Sequence, residues 1–157
     1  MHKNLIVFLI IFFVSPFAVA QDMAETEVPA AVVSTYKTKF PQAAEAKWKK
    51  NKSGKYEVDF KLSGKKAEAK FLSDGSWDSS QKRIETSALP ALVSEYLKKN
   101  YGSHKVDHVT FKEENTASKN TYEVKLKKDK AETELTFDAD GKFLKKKEKQ
   151  DKSKKTT

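Results

Sequence analysis

The sequence predicts an α+β protein of two tandem repeats, each a single helix followed by about four antiparallel strands, with the helix packed on one face of its sheet. Three observations carry that expectation. The strand motif Tyr56-Glu57-Val58 returns as Tyr122-Glu123-Val124. The apolar spacing changes from helical to alternating in the same order twice. Each copy ends in an Asp-Gly turn, at Asp74-Gly75 and Asp140-Gly141.

The elements follow from the N-terminus. Met1 to Asn4 carry a lysine, and Leu5 to Val19 are apolar apart from Ser15 and Pro16. A charged start, a short apolar run and small residues at Ala18-Val19-Ala20 read as a signal peptide over 1–20. The run is shorter than the roughly 20 residues that span a bilayer, so no transmembrane segment is expected after cleavage. The chain has no cysteine, hence no lipid-bearing thiol and no disulfide framework. The mature chain must then be stabilised by burial alone, in the periplasm or outside the cell.

A short linker over 21–27 leads to the first repeat, 28–82. Pro29 precedes Val32, Val33, Tyr36 and Phe40 at helical spacing, and Phe40-Pro41 supplies the stop. Tyr56, Val58, Phe60 and Leu62 then alternate with Glu57, Asp59 and Lys61, as in a strand with one buried and one wet face. Ala67, Ala69 and Phe71 continue the sheet, and Trp77 closes it. A second linker, 83–88, precedes the second repeat over 89–146. There Pro90, Leu92, Val93, Tyr96, Leu97 and Tyr101 restate the helix, and Tyr122, Val124, Leu126, Thr133, Leu135 and Phe137 restate the strands.

From Tyr56 to Trp77 the two copies align at an offset of 66 with eight identities in 22 positions, where chance gives about one or two. Upstream the offset is 61, so five extra residues belong to the second copy. The polar stretch 113–120 places them in a hairpin loop, where insertions cost little.

The net charge is +9 and the pI about 9.5. An exported chain seldom meets nucleic acid, so no nucleic-acid partner is expected. The counterparts are an envelope protein or peptide, or an anionic envelope polymer. Lys145 to Lys155 hold seven lysines and two acids. The Lys-rich tail, 147–157, is expected to be disordered, serving either to solubilise the chain or to hold it to a polyanion.

Candidate chemistry is sparse. His104 and His108 have a spacing that suits a metal on a helix, but the surrounding residues read as a strand, where they stand about 13 Å apart. Asp138-Ala139-Asp140-Gly141 has the start of a calcium loop without its helical frame, so a hairpin turn is expected. Nucleophile-elbow, phosphate-loop and zinc signatures are all missing. The expectation is therefore no catalysis, no cofactor and no metal. The candidate binding surface is the wet face of the strands, at Glu57, Asp59, Lys61, Glu123, Lys125 and Lys127.

A Pro-led helix ending in Phe40-Pro41, a Tyr56-Glu57-Val58 strand and an Asp74-Gly75-Ser76-Trp77 hairpin, repeated as Tyr122-Glu123-Val124 and Asp140-Gly141-Lys142-Phe143, resembles the PepSY-like, beta-lactamase-inhibitor-like family. The resemblance covers Val28 to about Lys146. It implies an exported, non-enzymatic module that binds or restrains a protein or peptide through an open sheet face. The strand faces here are charged rather than aromatic, so a beta-lactamase interface is not expected. The alternative is a polyanion-binding envelope protein acting through its basic charge and lysine tail.

Overall fold

The computed structural model describes residues 22–150. The segment expected to be a signal peptide and residues 151–157 of the expected tail lie outside the described residues.

Among the described residues nine strands and two α-helices follow in the order β1 (Asp22–Met23), α1 (Ala30–Lys39), β2 (Ala43–Lys50), β3 (Tyr56–Leu62), β4 (Lys65–Phe71), β5 (Trp77–Ile84), α2 (Ala91–Tyr101), β6 (Lys105–Glu114), β7 (Thr121–Lys128), β8 (Ala131–Asp138) and β9 (Phe143–Gln150). A helix followed by four strands thus occurs twice. All nine strands form one antiparallel sheet, each lying beside its sequence neighbours.

Residues paired directly across antiparallel strands point to the same side of a pleated sheet. Val58 pairs with Ala69, Ala69 with Ser80, and Ser80 with Glu113. On the same ladder Ile84 pairs with Val109, which pairs with Val124. Both apolar cores and both helices therefore occupy one side of the sheet. Under α1, Tyr36 meets Trp48, Phe60 and Phe71 edge-on, at ring separations of 5.2, 5.4 and 6.4 Å. Under α2, buried Val93 and Leu97 meet Val109, Val124, Leu126, Leu135 and Phe137. Each fully buried side chain of this size contributes roughly 1.5–3 kcal/mol.

The Asp-Gly hairpins have a second reason for glycine beyond their positive φ. Gly75 (φ 92°) lies so close to α1 that a Cβ would sit 2.9 Å from the Ala31 Cβ and 3.0 Å from its carbonyl. At Gly141 (φ 87°) a Cβ would come within 3.2 Å of Pro90 and Val93. The β4–β5 and β8–β9 turns are thus the pads on which the helix starts rest. Their backbone bonds match: the Leu72 N–H donates to Ser76 at 2.8 Å, and the Asp138 N–H donates to Lys142 at 3.0 Å.

Several boundaries differ from expectation. The stretch 21–27 contains β1 and a 3₁₀ turn at Glu25–Glu27. The stretch 83–88 contains the end of β5 and a 3₁₀ turn at Thr86–Ala88. These segments correspond, since Met23 pairs with Trp48 as Ile84 pairs with Val109. Both prolines cap their helices from just outside the first turn. Strand β9 continues past Lys146 to Gln150, with Lys147 opposite Glu134 and Lys149 opposite Glu132. Alternating acids on β8 give these lysines a ladder to join.

The five-residue insertion also differs. Lys50 pairs with Tyr56 and Phe111 with Tyr122, so the extra length falls between Phe111 and Tyr122. Only part of it is loop. Lys112, Glu113 and Glu114 extend β6 and pair with Gln81, Ser80 and Ser79 of β5. The insertion therefore builds half of the ladder joining the two halves of the sheet.

Candidate functional site

The side of the sheet opposite the helices is uncovered among the described residues. The pleat that buries Val58 and Phe60 must send Glu57, Asp59 and Lys61 the other way, and burial of Val124 and Leu126 does the same for Glu123, Lys125 and Lys127. The register links both sets. Glu57 lies opposite Lys70 and Lys70 opposite Ser79; Thr110 lies opposite Glu123 and His108 opposite Lys125. All six candidate residues thus share one face of one sheet.

They are not equally available. Glu57 was expected to be wet, but it is only 8% exposed. It is held between Lys49 at 2.7 Å and Lys70 at 3.5 Å. Burial works to raise the Glu57 pKa, but the hydrogen bond from Lys49 and the Lys70 charge overturn it and hold the carboxyl below its usual value. Burial likewise works against the Lys49 ammonium, and hydrogen bonds to Glu57 and Asp59 raise its pKa well above normal. Asp59 accepts from Lys49 at 2.9 Å with a half-exposed side chain, and Lys61 reaches Glu45 at 2.7 Å. Glu45 stands at a β2 bulge with φ 56°.

On the second half, Lys125 binds Glu132 at 2.9 Å, and Lys127 binds Asp107 at 2.7 Å. The hydrogen bond from Lys127, followed by that of His108, brings the Asp107 pKa down to about 2. Glu123 has no ion-pair partner among the described residues.

The carboxylates of Glu57, Asp59 and Glu68 place one oxygen each within 4.8 Å of one another. Lys49 and Lys70 already neutralise two of the three charges, and Lys70 also binds Glu68 at 3.1 Å. This is an ion-pair network first, and it offers a cation little unmet charge. The two histidines do not come together as ligands. His104 lies before β6 with its ring edge-on to Tyr101, whereas His108 sits on the open face, 2.7 Å from Asp107. Asp138 accepts the N–H groups of Asp140 and Lys142 at 3.1 and 2.8 Å, so it is spent on its turn.

Sequence reasoning missed Arg83. It is exposed on the open face of β5, opposite Thr110, and lines two depressions there. The available signal was its rarity: it is the single arginine in the chain.

A family model described as beta-lactamase-inhibitor-like and PepSY-like matches residues 18–64 and 54–145. The chain belongs to the PepSY-like family. The PepSY-like fold recurs in several solved structures. A Bacteroides eggerthii protein, whose name assigns it to the periplasm, is 20% identical with a TM-score of 0.68, over 77% of this chain and 88% of that one. A DUF2874 family protein from Bacteroides ovatus is 23% identical with a TM-score of 0.65, over 77% and 87%. A BLIP-like protein from Bacteroides fragilis is 20% identical with a TM-score of 0.65, over 83% and 92%. At these identities the likeness to this PepSY-like chain is one of fold. No curated protein matches the sequence.

Proposed function

We propose that the protein is an exported, non-catalytic module of the cell envelope, duplicated from one helix-and-sheet unit, whose open sheet face binds a protein or peptide partner. The observation that carries this reading is the uncovered face itself. Alternating residues of both halves are presented on one surface, and all the candidate positions but Glu123 are engaged in ion pairs rather than left to wave in solvent. Preorganised side chains lose less entropy on binding. The periplasmic name of one structural relative and the leader-like N-terminus support the location. No helix among the described residues is long and apolar enough to cross a membrane.

The test is charge reversal on the available positions, Asp59→Lys, Lys61→Glu, Glu123→Lys, Lys125→Glu and Lys127→Glu, with buried Glu57 left intact. Wild-type and reversed chains of equal thermal stability are used to capture partners from the native envelope. The reading expects proteins retained by the wild type to be lost from the reversed chain. An unchanged set of retained proteins refutes the open face as the binding surface.

A further inference from the structure

Two adjoining depressions on the open face, with volumes of ≈ 320 Å³ and ≈ 450 Å³, share three lining residues: Lys66, Arg83 and His108. Lys66 stands on β4, Arg83 on β5, the last strand of the first half, and His108 on β6, the first strand of the second.

The surrounding cations are mostly spoken for. Lys49 and Lys70 hold the acids of β3 and β4, Lys61 holds Glu45, and Lys125 and Lys127 hold Glu132 and Asp107. Arg83 and Lys66 make no ion pair among the described residues. Asp59 and Glu68 line the smaller depression, but each already binds a lysine. Glu123 also lines it, yet Thr110 lies between Glu123 and Arg83 in the ladder. That separates their backbones by two strand spacings, roughly 10 Å.

The positive charge is also concentrated against the usual rule. Lys66 pairs directly with Lys61, and like charges facing one another across strands are destabilising. Ala67 pairs with Lys82, so one further step along the ladder sets Lys66 beside Arg83. The first half shows the contrast: the residue that its register makes equivalent to Arg83 is Asp22, opposite Lys49. A chain that uses lysine at every other basic position places its guanidinium at this seam. A guanidinium differs from an ammonium in presenting a planar fork that matches a carboxylate with two parallel hydrogen bonds.

We propose that Arg83, seconded by Lys66, is the anchor for a carboxylate on an acidic segment of the partner protein. This rests on the open-face reading above and specifies the partner chemistry: an exposed stretch containing aspartate or glutamate, laid across the β4–β5–β6 seam.

The lone arginine makes a direct test possible, because its Nε–H gives a single NMR resonance. The mature chain is titrated with hexaglutamate, blocked at both ends, at low salt. The Arg83 Nε–H signal shifts with the same midpoint as the bulk of the binding. Arg83→Ala weakens binding about fivefold or more, and Arg83→Lys, which keeps the charge but not the fork, weakens it about threefold. Lys47→Ala removes an equal charge elsewhere on the face, from an exposed β2 position opposite Asp59, and changes binding less than about twofold. The proposal is overturned if Arg83→Lys binds as the wild type does, if Lys47→Ala costs as much as Arg83→Ala, or if tripolyphosphate binds with a stronger Arg83 dependence than hexaglutamate. Hexaglutamate binding lost in the charge-reversed face but indifferent to Arg83 removes the anchor and leaves the open-face reading standing. Binding indifferent to both removes both.

Discussion

The two halves of the sheet fill the same space by different means. Under α1 the core is aromatic: Tyr36, Trp48, Phe60 and Phe71, with Phe40 against them. At the equivalent register positions under α2 stand Leu97, Val109, Leu126 and Phe137. The lost volume returns elsewhere. Ala69, opposite Val58, becomes Leu135 opposite Val124, and the helix aromatic moves one position to Tyr96, which stacks on Phe143 at 5.2 Å. A one-residue move turns a helical side chain by about 100°, toward the outer strand β9. What both halves keep is Phe71 or Phe137, the central valine and the glycine turn. Close packing requires a filled volume, not a particular set of side chains. The aromatic solution leaves the Tyr36 hydroxyl and the Trp48 Nε1 buried without partners, and burial, with the charge of Glu25, pushes the Tyr36 phenol up to about 12.

The contrast can be broken most sharply at the tryptophan. Trp48→Ala is expected to cost about 3–5 kcal/mol, because one side chain fills the span that several residues share in the second half. Val109→Ala should cost about 1–3 kcal/mol. Urea unfolding of both variants checks the difference, and equal losses would show that the two cores bear load alike.

The glycine turns come next. Gly75→Ala combines a left-handed alanine with a clash against the Ala31 backbone, and about 2–4 kcal/mol is expected. Gly141→Ala meets Pro90, Val93 and Leu92 at the wider separations of 3.2–3.3 Å, so about 1–2 kcal/mol should be lost. A reversed order in thermal denaturation would mean that α1 tilts away from its turn more easily than α2 does.

The smallest effect concerns charge. Glu57→Gln should destabilise the first half by about 1–2 kcal/mol at neutral pH, leaving Lys49 only Asp59. The folded Glu57 pKa lies below its ordinary 4.5, so its contribution is complete above that pH and fades as the pH falls toward the depressed value. The variant should accordingly lose less stability than the wild type on acidification below about pH 4.5. Unfolding curves at pH 3 and pH 7 give the comparison.

Much of this was legible in the residues. Alternation placed Tyr56, Val58 and Phe60 on the buried side, and positive-φ turn chemistry placed Gly75 and Gly141. What alternation does not encode is the behaviour of long side chains on the wet side. Glu57 follows the polar register, yet it is buried, with its carboxylate held by lysines of two neighbouring strands. Strand β1 is too short to carry a period, and Met23 joins the sheet opposite Trp48. The insertion looked like loop because Lys112, Glu113 and Glu114 are polar, and polar residues serve equally well on strands beside Ser79, Ser80 and Gln81. Arg83 escaped notice because what sets it apart is spatial: most lysines of the open face around it are paired with acids among the described residues, whereas Arg83 and Lys66 are not.

Every strand lies beside the one before it, and only the β1–β2 and β5–β6 ladders are bridged by a helix. The hairpins can therefore zip from their turns as the chain emerges, and even at the seam the widest pairing, Ser79 with Glu114, closes a modest loop. Such short-range order favours rapid folding. In the proposed envelope setting, a chain without a cysteine that arrives quickly at a closed core limits the time its apolar strands stand exposed to proteases and to one another.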